Sequence, residues 1–406
     1  MVDDPSRSKY KRLRPAVGYH QSMPMDITKL RSSIPALSHV IYLNSGASAP
    51  TPRPALDAIQ KFLARQAEEG PFAPRVFAES LQIEADTRAG IASAIGAAPE
   101  EITLCNNTTD GLNLVGAGVN WKPGDEVITF DQEHASGLLP WFYLRDRFDI
   151  RVRVAAIPPD GRGIAERLEH EIGARTRLVC VSHASWCTGL RLPIVEIAEV
   201  AHRRGAAVLV DGAQGPGHLD VDVKALGCDF YALSGQKWLM GPHGVGGLYV
   251  SSEAVWTPHP SRLGWASGPH VDAAGRYTLF PDGRRFESAT INHGLLAGFR
   301  EVLNLYQRNE PAAVWARILA LSNLLEERLR SIPSVSIVSP RGPELSTGLL
   351  SFRVDGFAAK DVVDRLWKTH KILCRSVEPD AIRASVHIFN TETELAALAE
   401  AIRSLR

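Results

Sequence analysis

Two short segments carry side chains able to cooperate in one reaction. The run Val208-Leu-Val-Asp211-Gly-Ala-Gln214 puts a carboxylate at the carboxyl end of an apolar stretch, and Ser234-Gly-Gln236-Lys237-Trp238 puts an amine just after another. In an open α/β sheet, ligands bind beyond the carboxyl ends of the strands, so both groups fall on the edge where a site would form. A lysine beside a buried site has a lowered pKa and can form a Schiff base. An aspartate beside a pyridine nitrogen keeps that nitrogen protonated, so the ring can absorb the electrons left at an amino acid's Cα. Pyridoxal chemistry uses such a lysine and acid pair. Each piece alone says little: a strand-end Asp is often a turn or cap residue, and a lysine after a strand is ordinarily solvated. The glycines of Gly241-Pro-His-Gly244-Val-Gly246-Gly247 are followed by a strand rather than a helix, which removes the geometry of a dinucleotide fingerprint.

The elements that must hold these groups alternate from about residue 40 to residue 255. Helical patterns cover residues 54–69, stopped by Gly70, and 79–95, stopped by Gly96. Apolar runs at 126–130, 151–157, 177–182, 206–210, 230–234 and 246–250 read as strands. Their continuous rather than alternating apolarity implies that both faces are covered, as in a mainly parallel sheet wrapped by helices. The last third differs, with helices over 312–330, 359–369 and 392–404 among strands at 334–338, 348–354, 372–374 and 382–386. The expected fold is α/β, with an amino-terminal arm (residues 1–40), a large domain (41–295) and a smaller carboxyl-terminal α+β domain (296–406). Residues 258–282 form the longest irregular stretch, a length that usually marks a functional or mobile loop.

Bulk properties narrow the function. The chain has 406 residues, 45% hydrophobic and 22% charged, with no apolar run long enough to span a bilayer. Lys+Arg and Asp+Glu both number 45, so no net field favours nucleic acid or an anionic membrane as partner. The five cysteines, Cys105, Cys180, Cys187, Cys228 and Cys374, are odd in number and form no C-x-x-C pair. No disulfide framework and no metal site are expected, and a reducing cytoplasm fits. Arg7, Lys9, Lys11, Arg12 and Arg14 precede no apolar segment, which suggests a mobile or dimer-embracing arm rather than a secretory signal.

The segments V-D-G-A-Q and S-G-Q-K-W-L-M-G-P resemble those of the class V aminotransferase family of fold-type I pyridoxal-phosphate enzymes, over nearly the whole chain from about Tyr42. That family includes cysteine desulfurases, selenocysteine lyases and isopenicillin N epimerase-like proteins. The resemblance implies that Lys237 carries the cofactor, Asp211 holds the pyridine nitrogen and Gln214 faces the phenolic oxygen. Cys105-Asn-Asn-Thr108-Thr109-Asp110 looks like the family's phosphate turn, and physically it is a run of small polar residues opening a helix, where free N–H groups receive an anion. Ser234 and Gln236 complete that phosphate site, Gln236 standing where most relatives have histidine. His134, in Gln132-Glu133-His134-Ala135-Ser136, matches the histidine that stacks on the pyridine face. Arg285-Phe-Glu287-Ser-Ala-Thr290 resembles the element whose threonine reaches the phosphate of the neighbouring subunit, which implies a homodimer with a shared active site. Arg383 matches the arginine that grips the substrate α-carboxylate, a task suited to a planar fork. Gly46 and Trp186 join it as substrate-binding positions.

Two departures bear on the reaction. Desulfurases of the nearest group carry a reactive cysteine in an R-x-G-x-H-C-like loop; here Leu373-Cys374-Arg375-Ser-Val-Glu-Pro-Asp380 is shortened and lacks the H-C element, and Cys374 reads as packed. Many desulfurases have asparagine where Trp186 falls, so the substrate pocket should differ. Cys187 could lie within reach of substrate, although packing is the commoner fate of a free cysteine. The expected reaction is β-elimination of a cysteine-derived amino acid, a C–S lyase acting through a Cα carbanion. Epimerisation, transamination and desulfuration are the alternatives, with a non-enzymatic scaffold that merely binds the cofactor ranking last.

Overall fold

In the computed structural model, which describes residues 26–405, the apolar runs form strands in the expected order. In chain order the strands are β1 (Ile41–Tyr42), β2 (Ile102–Cys105), β3 (Glu126–Phe130), β4 (Arg151–Ala155), β5 (Thr176–Ser182), β6 (Ala207–Asp211), β7 (Phe230–Ser234), β8 (Gly246–Val250), β9 (His270–Val271), β10 (Tyr277–Thr278), β11 (Val335–Ile337), β12 (Leu349–Val354), β13 (Ile372–Leu373), β14 (Arg375–Val377) and β15 (Ala381–Ser385). Seven of them make one sheet in the order β2-β8-β7-β6-β5-β3-β4. It is parallel except for β8, which runs antiparallel to both β2 and β7.

Every residue of β3, β6, β7 and β8 is buried, as continuous apolarity requires of strands covered on both faces. The alternation of side chains shares them between two cores. Leu178, Cys180 and Leu209 pack with Leu112, Val115 and Trp141 on one face. Val179, Val181, Val208 and Val210 pack with Ile91, Ile197 and Phe299 on the other. Each such side chain contributes roughly 1.5–3 kcal/mol on leaving water.

A four-stranded antiparallel sheet, β11-β12-β15-β14, forms the second layer, backed by helices Pro311–Arg330, Ala359–His370 and Glu392–Arg403. It is tied to the start of the described chain: β1 pairs in parallel with β13, and Asn44 bridges to Ser385. Leu30, Ile34 and Leu37, from within residues 1–40, enter the main core, whereas the basic positions Arg7 to Arg14 lie outside the described residues.

Four features depart from expectation. Strand β2 was hidden because it is four residues long and runs straight into the polar turn that follows it. Helix His293–Arg308, absent from the expected elements, packs on helices Arg53–Glu69 and Pro74–Ile95. The second of these starts at Pro74 rather than at 79, with proline in the first turn where its missing N–H costs nothing. Residues 258–282, expected to be irregular, include the antiparallel pair β9–β10. Among the described residues no helix is long and apolar enough to cross a membrane.

Candidate active site

Strands β5, β6 and β7 end side by side on Ser182, Asp211 and Ser234, and all three residues line a cavity of about 290 Å³. The same cavity is lined by Gly46, Thr108, Thr109, His134, Trp186, Gln214, Gln236, Lys237 and Arg383, so eleven of the twelve anticipated site residues meet here. Thr290 does not. It borders a separate cavity with Cys105, Asp110 and Arg262.

One wall belongs to the large sheet. Asp211 is buried, and one carboxylate oxygen accepts the Ala213 N–H at 2.9 Å. Burial raises its pKa while the charge of Lys237 opposes that rise. Lys237 follows β7, and loss of solvent pushes its amine down to about 8; Asp211 pulls it up, while Arg383 and Arg375 push it further down. Helix Thr108–Gly118 opens on the cavity, with the Asn107 side chain accepting the Asp110 N–H as N-cap. The Ser234 hydroxyl accepts the Thr108 N–H at 2.9 Å and lies 2.7 Å from the Thr108 hydroxyl, and the Thr109 hydroxyl donates to Ser136. Gln214 is braced from two sides: its Nε2 donates to the Gly46 carbonyl and its Oε1 accepts from the Trp238 indole at 2.7 Å.

His134 caps a short turn, its Nδ1 accepting the Ser136 N–H at 3.2 Å, which leaves the hydrogen of the neutral ring on Nε2. Burial, aided by Lys237 and the two arginines, lowers its pKa and keeps it neutral. Its ring meets Trp186 edge to face, with centroids 5.4 Å apart.

The second wall comes from the small sheet. Arg383 is 1% exposed. One terminal nitrogen donates to the Trp186 carbonyl at 2.6 Å and the other approaches Asn44 Oδ1 at 3.4 Å. Its Nε is buried without a partner, and no carboxylate pairs with it among the described residues. Desolvation pulls the guanidinium down to about 9. A buried, unpaired cation of this kind is costly unless an anion arrives. Gly46 allows the close approach, because a Cβ there would fall 2.7 Å from Leu349 and 3.1 Å from an Arg383 nitrogen.

Sequence reasoning missed two groups. Arg375 also lines the cavity, and it read as a lone cation beside a cysteine until strand register set it opposite Arg383. Glu133 is buried next to the site, accepting the Ser182 N–H at 2.8 Å and its hydroxyl at 2.5 Å. Burial and the neighbouring Asp211 push it up to about 8, so it stays protonated at neutral pH. Its adjacency to His134 was the only signal available. Of the cysteines, Cys187 is buried behind Trp186, and Cys374 is buried in the small-layer core, where desolvation pushes its thiol up to about 12.

The donor set fits pyridoxal phosphate. A helix amino terminus with Thr108, Thr109 and Ser234 suits a phosphate. A buried acid and a low-pKa amine suit the ring, and the unpartnered Arg383 Nε suits the carboxylate of an amino acid.

Comparison with known proteins points the same way. The family model for class-V aminotransferases matches residues 41–398. A probable cysteine desulfurase of Methanothermobacter thermautotrophicus is 31% identical over 395 residues, 93% of this chain and 97% of its own. The isopenicillin N epimerase of Streptomyces clavuligerus is also 31% identical, over 90% of this chain and 95% of its own. Among solved structures, the cystine C–S lyase C-DES in complex with its product cysteine persulfide superposes with a TM-score of 0.86 at 32% identity, covering 92% of this chain and 99% of that one. A lysine mutant of C-DES, with glycine covalently linked to its PLP cofactor, gives a TM-score of 0.87 at 32% identity, covering 93% and 99%.

Proposed function

The chain belongs to the class-V aminotransferase family, and on that premise we propose that it is a pyridoxal-phosphate-dependent C–S lyase that cleaves a cysteine-derived amino acid by β-elimination. The observation that carries this reading over desulfuration is the state of Cys374. A desulfurase needs an exposed thiolate, and here the candidate thiol is 3% exposed, with its pKa pushed up to about 12.

Thr108, Thr109, Ser234 and Gln236 would hold the phosphate, and Asp211 and Gln214 the ring. When bound, pyridoxal phosphate takes up the electron pair left at Cα, which allows the C–S bond one carbon away to break. Arg383 grips the α-carboxylate and so fixes which Cα bond is presented for cleavage. Lys237 Nζ accepts the Cα proton, a role its depressed pKa suits, because the amine is substantially neutral near pH 8. His134 stays neutral and offers Nε2–H towards the cavity. Trp186 walls the substrate side and excludes water.

We read the protein as a cytoplasmic homodimer in which Thr290, which does not line the main cavity of its own chain, serves the partner's phosphate. Sizing at low concentration tests this, and a fully active monomer would refute it. The equal identity to isopenicillin N epimerase favours epimerisation as the second reading. Incubating the holoenzyme with a panel of L-amino acids, while following keto acid, sulfide, ammonia and D-isomer together, separates the two. Keto acid with ammonia and a released sulfur species is expected; D-isomer alone would overturn the lyase reading.

A further inference from the structure

A second cavity, of about 540 Å³, lies back to back with the first. The end of β5 makes the shared wall: Ser182 and Ala184 line the active-site cavity, and His183 between them lines the other. Alternation along an extended segment turns successive side chains to opposite sides. The His183 backbone N–H donates to the Asp211 carbonyl at 2.9 Å, so the wall is also tied to β6. The cavity opens between the starts of helices Ile164–Glu171 and Ile194–Arg203, and Ile164, Leu192 and Leu219 give it a buried apolar wall. No step of the proposed reaction uses it.

Its polar groups lack partners. His183 is 4% exposed, and its Nδ1 lies 2.9 Å from the Tyr231 hydroxyl. That hydroxyl is buried with no other partner among the described residues, so it donates to Nδ1 and leaves the ring hydrogen on Nε2. Burial and the charge of Arg191 lower the ring's pKa to about 3 and keep it neutral. The Nε2–H has no acceptor among the described residues, whereas a buried donor ordinarily has one. Arg191, half-buried in the same wall, makes no ion pair among the described residues. Around the mouth stand Arg162 and four carboxylates, Glu166, Glu196, Asp220 and Glu344, all exposed and likewise without ion pairs. Glu166 and Glu196 sit in the first turns of the two helices and offset their dipoles, so the helix ends are not what would attract an anion.

The distribution of charge selects among ligands. A lone anion would meet the four carboxylates at the mouth. A lone cation would leave Arg191 and the His183 N–H without acceptors. A molecule carrying both charges answers both, and the apolar wall asks for a hydrocarbon body. We propose that this cavity is a second ligand site that takes an α-amino acid with an apolar side chain. Its carboxylate sits on Arg191 and the His183 Nε2–H, where a charge-assisted pair is strong. Its ammonium faces the carboxylates of the mouth, and its side chain packs on Ile164, Leu192 and Leu219. The site is separate from the active-site cavity and does not depend on which reaction runs there.

The test uses holoenzyme and calorimetric binding of three probes with the same hydrocarbon body. N,N-Dimethyl-L-leucine keeps both charges, but its tertiary amine cannot form a Schiff base with the cofactor. 4-Methylpentanoate has only the carboxylate, and N,N-dimethyl-3-methylbutylamine only the ammonium. Wild type is expected to bind the zwitterion roughly 10- to 100-fold more tightly than either single-charge probe, the range for a hydrogen bond to a charged group. Arg191→Gln should weaken the zwitterion by a similar factor, roughly 10- to 100-fold, while the visible absorbance of the cofactor stays unchanged. Arg383→Ala should alter zwitterion affinity by less than about 2-fold, because the two sites share no ligand group. The absence of saturable zwitterion binding to wild type would overturn the site. Equal binding of the amine probe would make it a plain cation site, and equal binding of the carboxylate probe a plain anion site; either result overturns the proposal. So would affinity that survives in Arg191→Gln, or affinity lost in Arg383→Ala, which would place the probe in the active-site cavity. The comparison of probes needs no variant, so it decides the matter even if Arg191→Gln proves unstable.

Discussion

The two walls of the cavity are built on opposite principles. On the large-sheet side nearly every polar group already has a partner: Ser234 with Thr108, Thr109 with Ser136, Gln214 with Gly46 and Trp238, and Asp211 balanced against Lys237. On the small-sheet side two guanidinium groups face each other without a carboxylate, and one of them has a buried nitrogen with no acceptor. A pre-paired wall suits a group that stays bound through every turnover, because little must rearrange around it. An unpaired cationic wall suits an anion that comes and goes, since only the ligand relieves the cost of the buried charge. The difference separates residues that keep the cofactor from residues that choose the substrate.

The strongest challenge to that division is Lys237→Ala. Turnover should fall by roughly 10³- to 10⁴-fold or more, as expected for loss of a positioned proton-transfer group. The visible absorbance of bound cofactor should also vanish from a protein whose circular dichroism is unchanged. Unaltered absorbance, with cofactor still trapped by borohydride, would place the attachment elsewhere.

Arg383→Ala should cost roughly 10²- to 10³-fold in kcat/KM, the scale for truncating a desolvated charge partner. Because the arginine both binds and aligns, KM should rise and kcat should fall together, while cofactor content stays full. A loss of cofactor instead would erase the distinction between the walls.

A pH experiment sharpens the account of the large-sheet wall. Burial lowers the Lys237 amine to about 8, so its neutral, nucleophilic form grows in as pH rises through that value. Cofactor uptake by apoprotein, followed by absorbance from pH 6.5 to 9.5, should accelerate by about an order of magnitude per unit below the pKa and level off above it. A rate still climbing steeply at pH 9.5 would mean that the lysine is solvated.

The smallest expected effect on activity belongs to Cys374→Ser. It should change turnover by less than about 2-fold, although an unpartnered hydroxyl in the small-layer core should cost roughly 1–3 kcal/mol in a denaturation curve. Abolished turnover with cofactor still bound, together with a persulfide trapped on the wild type, would replace elimination with desulfuration.

The sequence was most informative where a single physical rule governed a residue. Continuous apolarity marked β3, β7 and β8 because those strands are covered on both faces. The strand-end positions of Asp211 and Ser234 followed because strand termini define the ligand edge of such a sheet. Arg375 escaped because its importance comes from register: only the β14–β15 pairing brings it opposite a residue eight positions later in the chain. Glu133 escaped for a related reason, as nothing in its neighbours announces that its carboxyl turns away from solvent onto Ser182. Strand β1 was illegible too, since two residues carry no period and its partner β13 lies more than three hundred positions away.

That last pairing bears on how the molecule comes into being. The Arg383–Asn44 contact and the β1–β13 ladder join the two ends of the described chain, separated by 339 positions at the first of them. Contacts this distant in sequence form late, after the entropy of closing a very long loop has been met. During synthesis the residues of the cofactor wall, from Gly46 to Trp238, have all been made long before the ribosome reaches Arg383. A chain cut short before Arg383 would carry every large-sheet group assigned to pyridoxal phosphate while having no means to grip an amino acid. Competence to react is withheld until Arg383 has been made and its strand has joined β12.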